Sequence, residues 1–202
     1  EHLNKINVFP VPDGDTGTNL ALTMSAVLGT LQRFPDSHAG KTLTRVADAA
    51  LDGARGNSGA ILAQFFLGVC DRLGHLGDLS AADFADGVHG GAAYARESLS
   101  DPREGTIITV LSDFAHEVNR VRREGVRDLR ALLRRGGAVA EQSLANTTQQ
   151  LEALRRANVV DAGGQGFVEF ISGVTDYIES GAEGEPEVPM PAVIDATSET
   201  TA

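Results

Sequence analysis

Two carboxylates one residue apart stand in a short loop that is rich in proline and glycine. Asp13 and Asp15 flank Gly14, and Pro10 and Pro12 precede them. Proline fixes its own φ and pushes the residue before it towards extended geometry, so this loop is stiff. Carboxylates held this close repel each other unless a cation lies between them. Hard oxygen ligands suit Mg²⁺, which in enzymes usually arrives with nucleotide phosphates. The loop therefore predicts a metal and nucleotide site, although an isolated Asp-Gly-Asp would be an ordinary turn.

Glycine-rich turns precede three of the predicted helices. Their sequences are GARGNSG at residues 53–59, REGT at 103–106 and DAGGQG at 161–166. Small residues let the backbone approach a ligand, and a helix start offers free N–H groups to an anion. Taken alone, such a turn is also typical of an ordinary capped connection between helices that binds no ligand. The N-cap residue would then be Asn57, Ser58 or Asp161. Together with the acidic loop, the three turns predict a single rim of a helical bundle that binds an elongated anion such as a nucleotide.

The remainder of the chain shows helical periodicity and almost no alternation typical of strands. Apolar residues recur three or four positions apart in segments that begin at Leu20, Leu43, Ile61, Phe84, Ile107, Leu129 and Phe167. We expect Thr42 to cap the second helix, Ser80 and Asp83 to form a capping box, and Gly136 with Gly137 to break the sixth helix. The pattern predicts an all-α fold.

Composition limits the classes of function. The chain has 202 residues, 42% of them hydrophobic, and a formal net charge of −11. That charge argues against a nucleic-acid partner. Cys70 is the single cysteine, which fits a reducing compartment. No apolar run approaches the ~20 residues of a membrane span and no signal peptide is visible, so we expect a cytoplasmic protein.

The end of the chain differs in composition from the rest. Residues 181–202 contain five acidic residues and three prolines but no Lys or Arg. Such a segment buries too little apolar surface to fold alone. We therefore expect one domain over residues 1–180 and an acidic linker or tail over residues 181–202, which leads to further domains.

In these motifs the chain resembles the nucleotide-binding L domain of the dihydroxyacetone kinase superfamily. More closely, it resembles the N-terminal kinase domain of bacterial fatty-acid kinases. The matching segments are NVFPVPDGDTGTNL at 7–20, GARGNSGA at 53–60, EGTI at 104–107 and VDAGGQGF at 160–167. The resemblance implies an antiparallel eight-helix barrel with Mg-ATP bound at one rim. Since the periodicity gives seven helices, it also implies a first helix before residue 1.

The resemblance further assigns residues to the metal. Asp13 and Asp15 correspond to the family's aspartates that hold the Mg²⁺ ions bridging the ATP phosphates. A further aspartate of the family lies a few residues upstream, and here the nearest polar residue is Asn7, one position further away. Thr16 stands where dihydroxyacetone kinase L domains have His. This departure favours the fatty-acid-kinase branch.

The nucleotide contacts implied by the resemblance lie on the same motifs. Ser58 and its flanking glycines match the phosphate-contacting loop, Thr106 matches a threonine at a helix start, and Asp161 opens a nucleotide-contacting turn. We also expect the helix start at Thr18 to offer N–H donors to phosphate. The full set of nucleotide-binding candidates is Thr16, Thr18, Asn19, Gly56, Asn57, Ser58, Gly59, Thr106, Asp161, Ala162 and Gly163.

The implied function is phosphoryl transfer from ATP to a fatty acid that a separate binding protein presents, giving an acyl-phosphate. No residue is an evident general base, and a fatty-acid carboxylate, already ionised, requires none. One alternative is the L subunit of a glycerone kinase, whose acceptor is held by a dihydroxyacetone-binding subunit. Another is a non-catalytic module that binds nucleotide and regulates a partner. We also expect this chain alone to be a poor kinase and dimerisation to use domains outside it.

Overall fold

The computed structural model describes residues 1–180, and within that part every regular element is a helix. The all-α prediction is confirmed. The helices are α1 (His2–Lys5), α2 (Thr16–Arg33), α3 (Ala39–Gly53), α4 (Gly56–Leu73), α5 (Ala81–Glu97), α6 (Ile107–Arg123), α7 (Leu129–Gln150), α8 (Glu152–Ala157) and α9 (Ala162–Ser180). Seven of them correspond to the predicted segments. The other two, α1 and α8, have four and six residues and are too short to show a period.

The long helices form a closed bundle. From α2 to α7 each helix packs against the next, and short connections make neighbours antiparallel. Helix α9 then contacts both α7 and α2, which closes the ring. At its centre, the ring of Phe167 meets Phe65 at a centroid distance of 5.6 Å and Phe114 at 5.5 Å, in edge-to-face geometry. These three aromatic side chains join α9 to α4 and α6.

An apolar cavity of about 310 Å³ lies between the helices of the bundle, and no sequence pattern predicts it. Side chains from seven helices line it, among them Met24, Phe66, Val88, Phe114 and Val174. None of the lining residues is polar. The cavity shares no residue with the acidic loop, so apolar volume and carboxylates occupy different parts of the molecule.

Local signals for helix ends were partly right. The capping box of Ser80 and Asp83 at the start of α5 is confirmed. Thr42 as the cap of α3 is wrong, because that helix begins at Ala39 and the side chain of His38 accepts the N–H of Lys41 at 3.3 Å. Thr42 lies inside the first turn, and its hydroxyl donates to the carbonyl of Asp36.

The predicted break at Gly136 and Gly137 is also wrong, because α7 runs unbroken through both glycines. A Cβ on Gly136 would lie 2.7 Å from the Phe114 ring and 2.7 Å from a Val118 methyl. The glycine therefore lets α7 pack closely on α6. Helix propensity alone costs about 1 kcal/mol for such a glycine, and packing outweighs that cost.

No helix among residues 1–180 is long and apolar enough to cross a membrane. The acidic segment expected at residues 181–202 lies outside the described residues. The domain boundary at residue 180 therefore stays a prediction.

Candidate functional site

Four helix starts meet at one end of the bundle. Because neighbouring helices are antiparallel, α2, α4 and α6 begin at the same end, and α9 begins there too. A Cβ on Gly163 of α9 would lie 3.3 Å from Ser58 Oγ of α4 and 3.3 Å from Ile107 Cβ of α6. A Cβ on Gly56 of α4 would lie 2.3 Å from the Asn19 amide of α2. Each helix start carries partial positive charge, so this end of the bundle favours an anion.

The acidic loop faces the start of α4 across a cavity of about 150 Å³, which we call the acidic cavity. Its lining residues are Asn7, Phe9, Pro10, Val11, Asp13, Asp15, Thr16, Asn19, Gly56, Asn57 and Ser58. The structure thus brings two of the sequence motifs, the acidic loop and the glycine-rich turn before α4, into one place. No Lys, Arg or His lines this cavity, although both carboxylates do.

Both loop carboxylates remain available to a ligand. Asp13 is exposed, and its Oδ1 accepts a hydrogen bond from Asn7 Nδ2 at 2.7 Å. Asp15 is half-buried and occupies the N-cap position of α2, yet its side chain makes no capping hydrogen bond. Gly14 between them has φ +68°, a left-handed conformation that favours glycine. The loop therefore presents two carboxylates that the helix does not use.

These donors fit Mg²⁺ better than a metal held only by protein. Among residues 1–180, no group of three or more His, Cys, Asp or Glu side chains is placed to hold a metal. Mg²⁺ commonly takes only one or two carboxylates, with phosphate oxygens and water completing its octahedron. Asp13 and Asp15 match that donor set. The amide nitrogen of Asn7 donates to Asp13 and so supports that carboxylate, while Asn7 as a ligand of the metal stays a prediction.

The start of α4 is open to solvent. Gly56 and Asn57 are exposed, Ser58 is half-buried, and no side chain caps the helix. The first N–H groups of α4 are therefore free of side-chain acceptors. Gly59 differs, because it is buried, its N–H donates to the Arg55 carbonyl at 3.1 Å, and it does not line the cavity. Among the candidates on this turn, the structure thus places Gly56, Asn57 and Ser58 at the cavity but not Gly59.

Helix packing explains the glycines of this turn. A Cβ on Gly53 would lie 2.3 Å from Ala26 Cβ, and one on Gly59 would lie 2.5 Å from Thr23 Oγ1. Thr23 is fully buried in α2, and its hydroxyl accepts the Arg55 N–H at 3.2 Å. These glycines let the start of α4 pack closely against α2. The sequence motif instead predicts that their small size lets a ligand approach the backbone.

The start of α9 is buried and capped. Asp161 is 5% exposed, and its Oδ2 accepts the Gly164 N–H at 2.7 Å. Asp161 therefore caps α9, which is the alternative to a ligand contact that the sequence left open. Burial raises the pKa of Asp161 to about 6, although hydrogen bonds from the N–H groups of Gly164 and Ile107 act in the opposite direction. Ala162 and Gly163 are buried beside it. None of these three candidates lines the acidic cavity, so their contact with nucleotide stays a prediction.

Two threonine candidates are engaged within the protein. Thr106 is buried at the start of α6, and its hydroxyl donates to the Arg103 carbonyl at 2.7 Å. The Thr18 N–H donates to Asn4 Oδ1 at 3.1 Å, and Thr18 does not line the cavity. The expectation of a free donor at Thr18 is therefore wrong for this structure. Sequence reasoning missed Asn4, because nothing in its local sequence indicates a contact with a residue fourteen positions away.

Comparison with known proteins gives a consistent family. The model of the DAK2 domain matches residues 10–176. Protein YloV of Bacillus subtilis (strain 168) is 37% identical over 166 residues, which are 82% of this chain and 30% of that protein. Uncharacterized protein SH1689 of Staphylococcus haemolyticus is 36% identical over 178 residues, 86% of this chain and 32% of that protein. The chain therefore spans about a third of the length of these curated relatives.

Proposed function

The chain belongs to the DAK2 domain family, which is similar to the L subunit of dihydroxyacetone kinase, and on that premise we propose that it is an ATP- and Mg²⁺-dependent phosphotransferase domain. One observation carries the proposal. Asp13 and Asp15, free of structural hydrogen bonds to the helix, face the uncapped start of α4 across the acidic cavity.

Electrostatics explain why this arrangement suits a metal–nucleotide complex. A polyphosphate alone would be repelled by two carboxylates in a cavity that no Lys, Arg or His lines. A divalent cation between carboxylates and phosphate removes that repulsion. The start of α4 adds backbone N–H donors and a favourable dipole on the opposite wall. Free nucleotide and free Mg²⁺ are each expected to bind more weakly than the pair.

The polar residues that face each other across the cavity then have separate tasks. Asp13 and Asp15 hold Mg²⁺, and Asn7 orients the Asp13 carboxylate through its 2.7 Å hydrogen bond. Asn57 and Ser58, with the first N–H groups of α4, hold phosphate oxygens. When bound, Mg²⁺ supplies charge neutralisation at the β- and γ-phosphates. Phosphoryl transfer depends mainly on alignment and charge stabilisation, so the chain needs no further reactive side chain.

The acceptor we propose is a fatty acid presented by a separate binding protein, with an acyl-phosphate as product. Thr16 in place of the histidine of dihydroxyacetone kinase L domains supports this branch. A carboxylate acceptor is already ionised, which fits a cavity without a histidine or lysine base. The L subunit of a glycerone kinase is the second candidate, because the DAK2 match favours that family as a whole. Retention of both aspartates argues against a regulatory module without catalysis.

Calorimetry with Mg²⁺ and a non-hydrolysable ATP analogue tests the metal and nucleotide assignment. Asp13→Asn and Asp15→Asn preserve side-chain shape, and we expect each to weaken Mg²⁺-dependent binding by about 100-fold, or ~3 kcal/mol. Asp48→Asn is the matched control, since Asp48 is an exposed aspartate on α3 away from the cavity. Unchanged affinity in both loop variants, with helicity intact, would refute the site.

A turnover assay tests the acceptor. The chain covers only about a third of its relatives, so we expect it to bind ATP but to phosphorylate free fatty acid or dihydroxyacetone poorly. Activity should appear when a fatty-acid-binding protein and the remaining domains are added. Rapid phosphorylation of free dihydroxyacetone by the chain alone would instead favour the glycerone branch.

A further inference from the structure

Asn4 caps helix α2 from a distance in sequence. Its Oδ1 accepts the N–H groups of Gly17 at 2.7 Å and Thr18 at 3.1 Å, and its Nδ2 donates to Thr18 Oγ1 at 2.9 Å. The residue lies on α1, which packs against α2 and α9. A Cβ on Gly17 would lie 2.9 Å from Asn4 Oδ1, so the helix start and the amide are in close contact.

The two N–H groups taken by Asn4 are the ones that an N-cap residue normally accepts. Asp15 is the N-cap residue of α2, and aspartate is among the side chains that cap best. An N-cap aspartate usually has an extended backbone and accepts the N–H two or three residues on, here Gly17 or Thr18. Asp15 instead has φ −117° and ψ −5°, and its carboxylate makes no capping bond. Asn4 does the capping in its place.

We propose that Asn4 is a positioning residue that relieves Asp15 of helix capping and so keeps the Asp15 carboxylate free for the cation of the acidic cavity. This inference rests on the proposed function. Without Asn4, Asp15 is the residue whose N-cap position suits its carboxylate to accept the Gly17 and Thr18 N–H groups. A carboxylate drawn onto those N–H groups is turned towards the helix start. Metal binding and helix capping then compete for one side chain.

Competition makes a prediction that a purely structural cap does not. If Asn4 only stabilised the helix, Asn4→Ala would lower thermal stability and leave the Mg²⁺ dependence of nucleotide binding unchanged. If Asn4 relieves Asp15, Asp15 takes over the capping in the variant. Stability then changes little, while the Mg²⁺-dependent affinity falls about 10-fold.

The experiment compares four forms of the 202-residue chain by calorimetry and thermal unfolding: wild type, Asn4→Ala, Asn4→Asp and Gly17→Ala. The probe is a non-hydrolysable ATP analogue titrated with and without Mg²⁺. Asn4→Asp retains an acceptor for both N–H groups and should stay within about 3-fold of wild type. Gly17→Ala should weaken Mg²⁺-dependent binding as Asn4→Ala does, because its methyl group would lie 2.9 Å from both Asn4 Oδ1 and Leu3 Cβ and so moves α1 and its amide away from the helix start.

The outcomes separate the inference from the proposed function. A wild-type chain without Mg²⁺-dependent binding overturns both. If the wild type binds and both Asn4→Ala and Gly17→Ala bind equally well, the inference alone is overturned. The same holds if Asn4→Ala fails to fold while Gly17→Ala folds and binds normally. Loss of Mg²⁺-dependent affinity in both variants, its recovery in Asn4→Asp, and near wild-type stability throughout support the inference.

Discussion

At the start of α4, Gly56 and Asn57 are exposed and no side chain caps the helix, whereas at the start of α9 the first residues are buried and Asp161 caps it. Both starts lie at the same end of the bundle, and both are glycine-rich helix starts with a polar side chain. Of these two starts, that of α4 lines the acidic cavity and that of α9 does not.

The two starts differ in which N–H groups have an internal acceptor, and a glycine-rich helix start offers donors to a ligand only where such acceptors are lacking. At α9 the buried Asp161 carboxylate accepts the Gly164 N–H. An orphan N–H buried without that acceptor would cost about 1–3 kcal/mol, so a capping side chain is needed there. At α4 solvent reaches the helix start, and the absence of a cap leaves the donors to an anion.

The buried carboxylate at the start of α9 should make the stability of the protein depend strongly on pH. The folded pKa of Asp161, about 6, lies above its ordinary value of 3.8. The contribution of Asp161 to stability is therefore fully present below pH 4 and is lost as pH rises through about 6. Asp161→Asn should remove this dependence. The free energy of unfolding of Asp161→Asn minus that of wild type should therefore be larger at pH 8 than at pH 4, by up to ~3 kcal/mol. Urea unfolding at a series of pH values measures it.

Asp83 provides the control for that experiment. Hydrogen bonds from the Ser80 hydroxyl and backbone N–H hold the pKa of this half-buried capping carboxylate below its usual value. The stability difference between wild type and Asp83→Asn should therefore run in the opposite direction, with wild type gaining as pH rises. A difference between wild type and Asp161→Asn that does not vary with pH would contradict the buried, proton-binding carboxylate at α9.

An intermediate effect tests whether the glycines of the α4 turn serve packing. Gly59→Val places a branched side chain where an added Cβ would lie 2.5 Å from Thr23 Oγ1. We expect a loss of about 2 kcal/mol and a lower melting temperature by several degrees. Gly173→Ala on α9 is the control, since nothing lies within 4 Å of its added Cβ, and it should be neutral or stabilising. If Gly59→Val is as stable as wild type, the packing explanation is wrong, and the glycine instead allows a ligand to approach the backbone.

The smallest expected effect concerns direct contacts with phosphate. Ser58→Ala should weaken Mg²⁺-dependent nucleotide binding about 3- to 10-fold, as expected for one hydrogen bond, without changing stability. Gln165→Ala in the first turn of α9 is the matched control and should leave affinity unchanged, because Gln165 does not line the cavity. Equal losses in both variants would mean that nucleotide spans both helix starts.

Sequence reasoning succeeded where the signal was local. The capping box of Ser80 and Asp83 spans four residues, and it was predicted correctly because its partners follow each other in one turn. The break expected at Gly136 failed because the decisive neighbours, Phe114 and Val118, lie on another helix. The small helices α1 and α8 went unnoticed because four and six residues are too few to establish a period.

Three properties can be predicted from the amino-acid sequence alone: the chain is helical, Asp13 and Asp15 share one stiff loop, and several helices begin with glycine. These properties follow from backbone preferences and periodicity, which act over a few residues. The tertiary structure decided which donors and acceptors are left free. Asn4 takes the N–H groups of α2, Asp161 caps α9 from the interior, and α4 meets the acidic loop without a side-chain cap. Such contacts join residues far apart in the chain, so burial and hydrogen bonding in the folded bundle, rather than any motif, determine the geometry of the site.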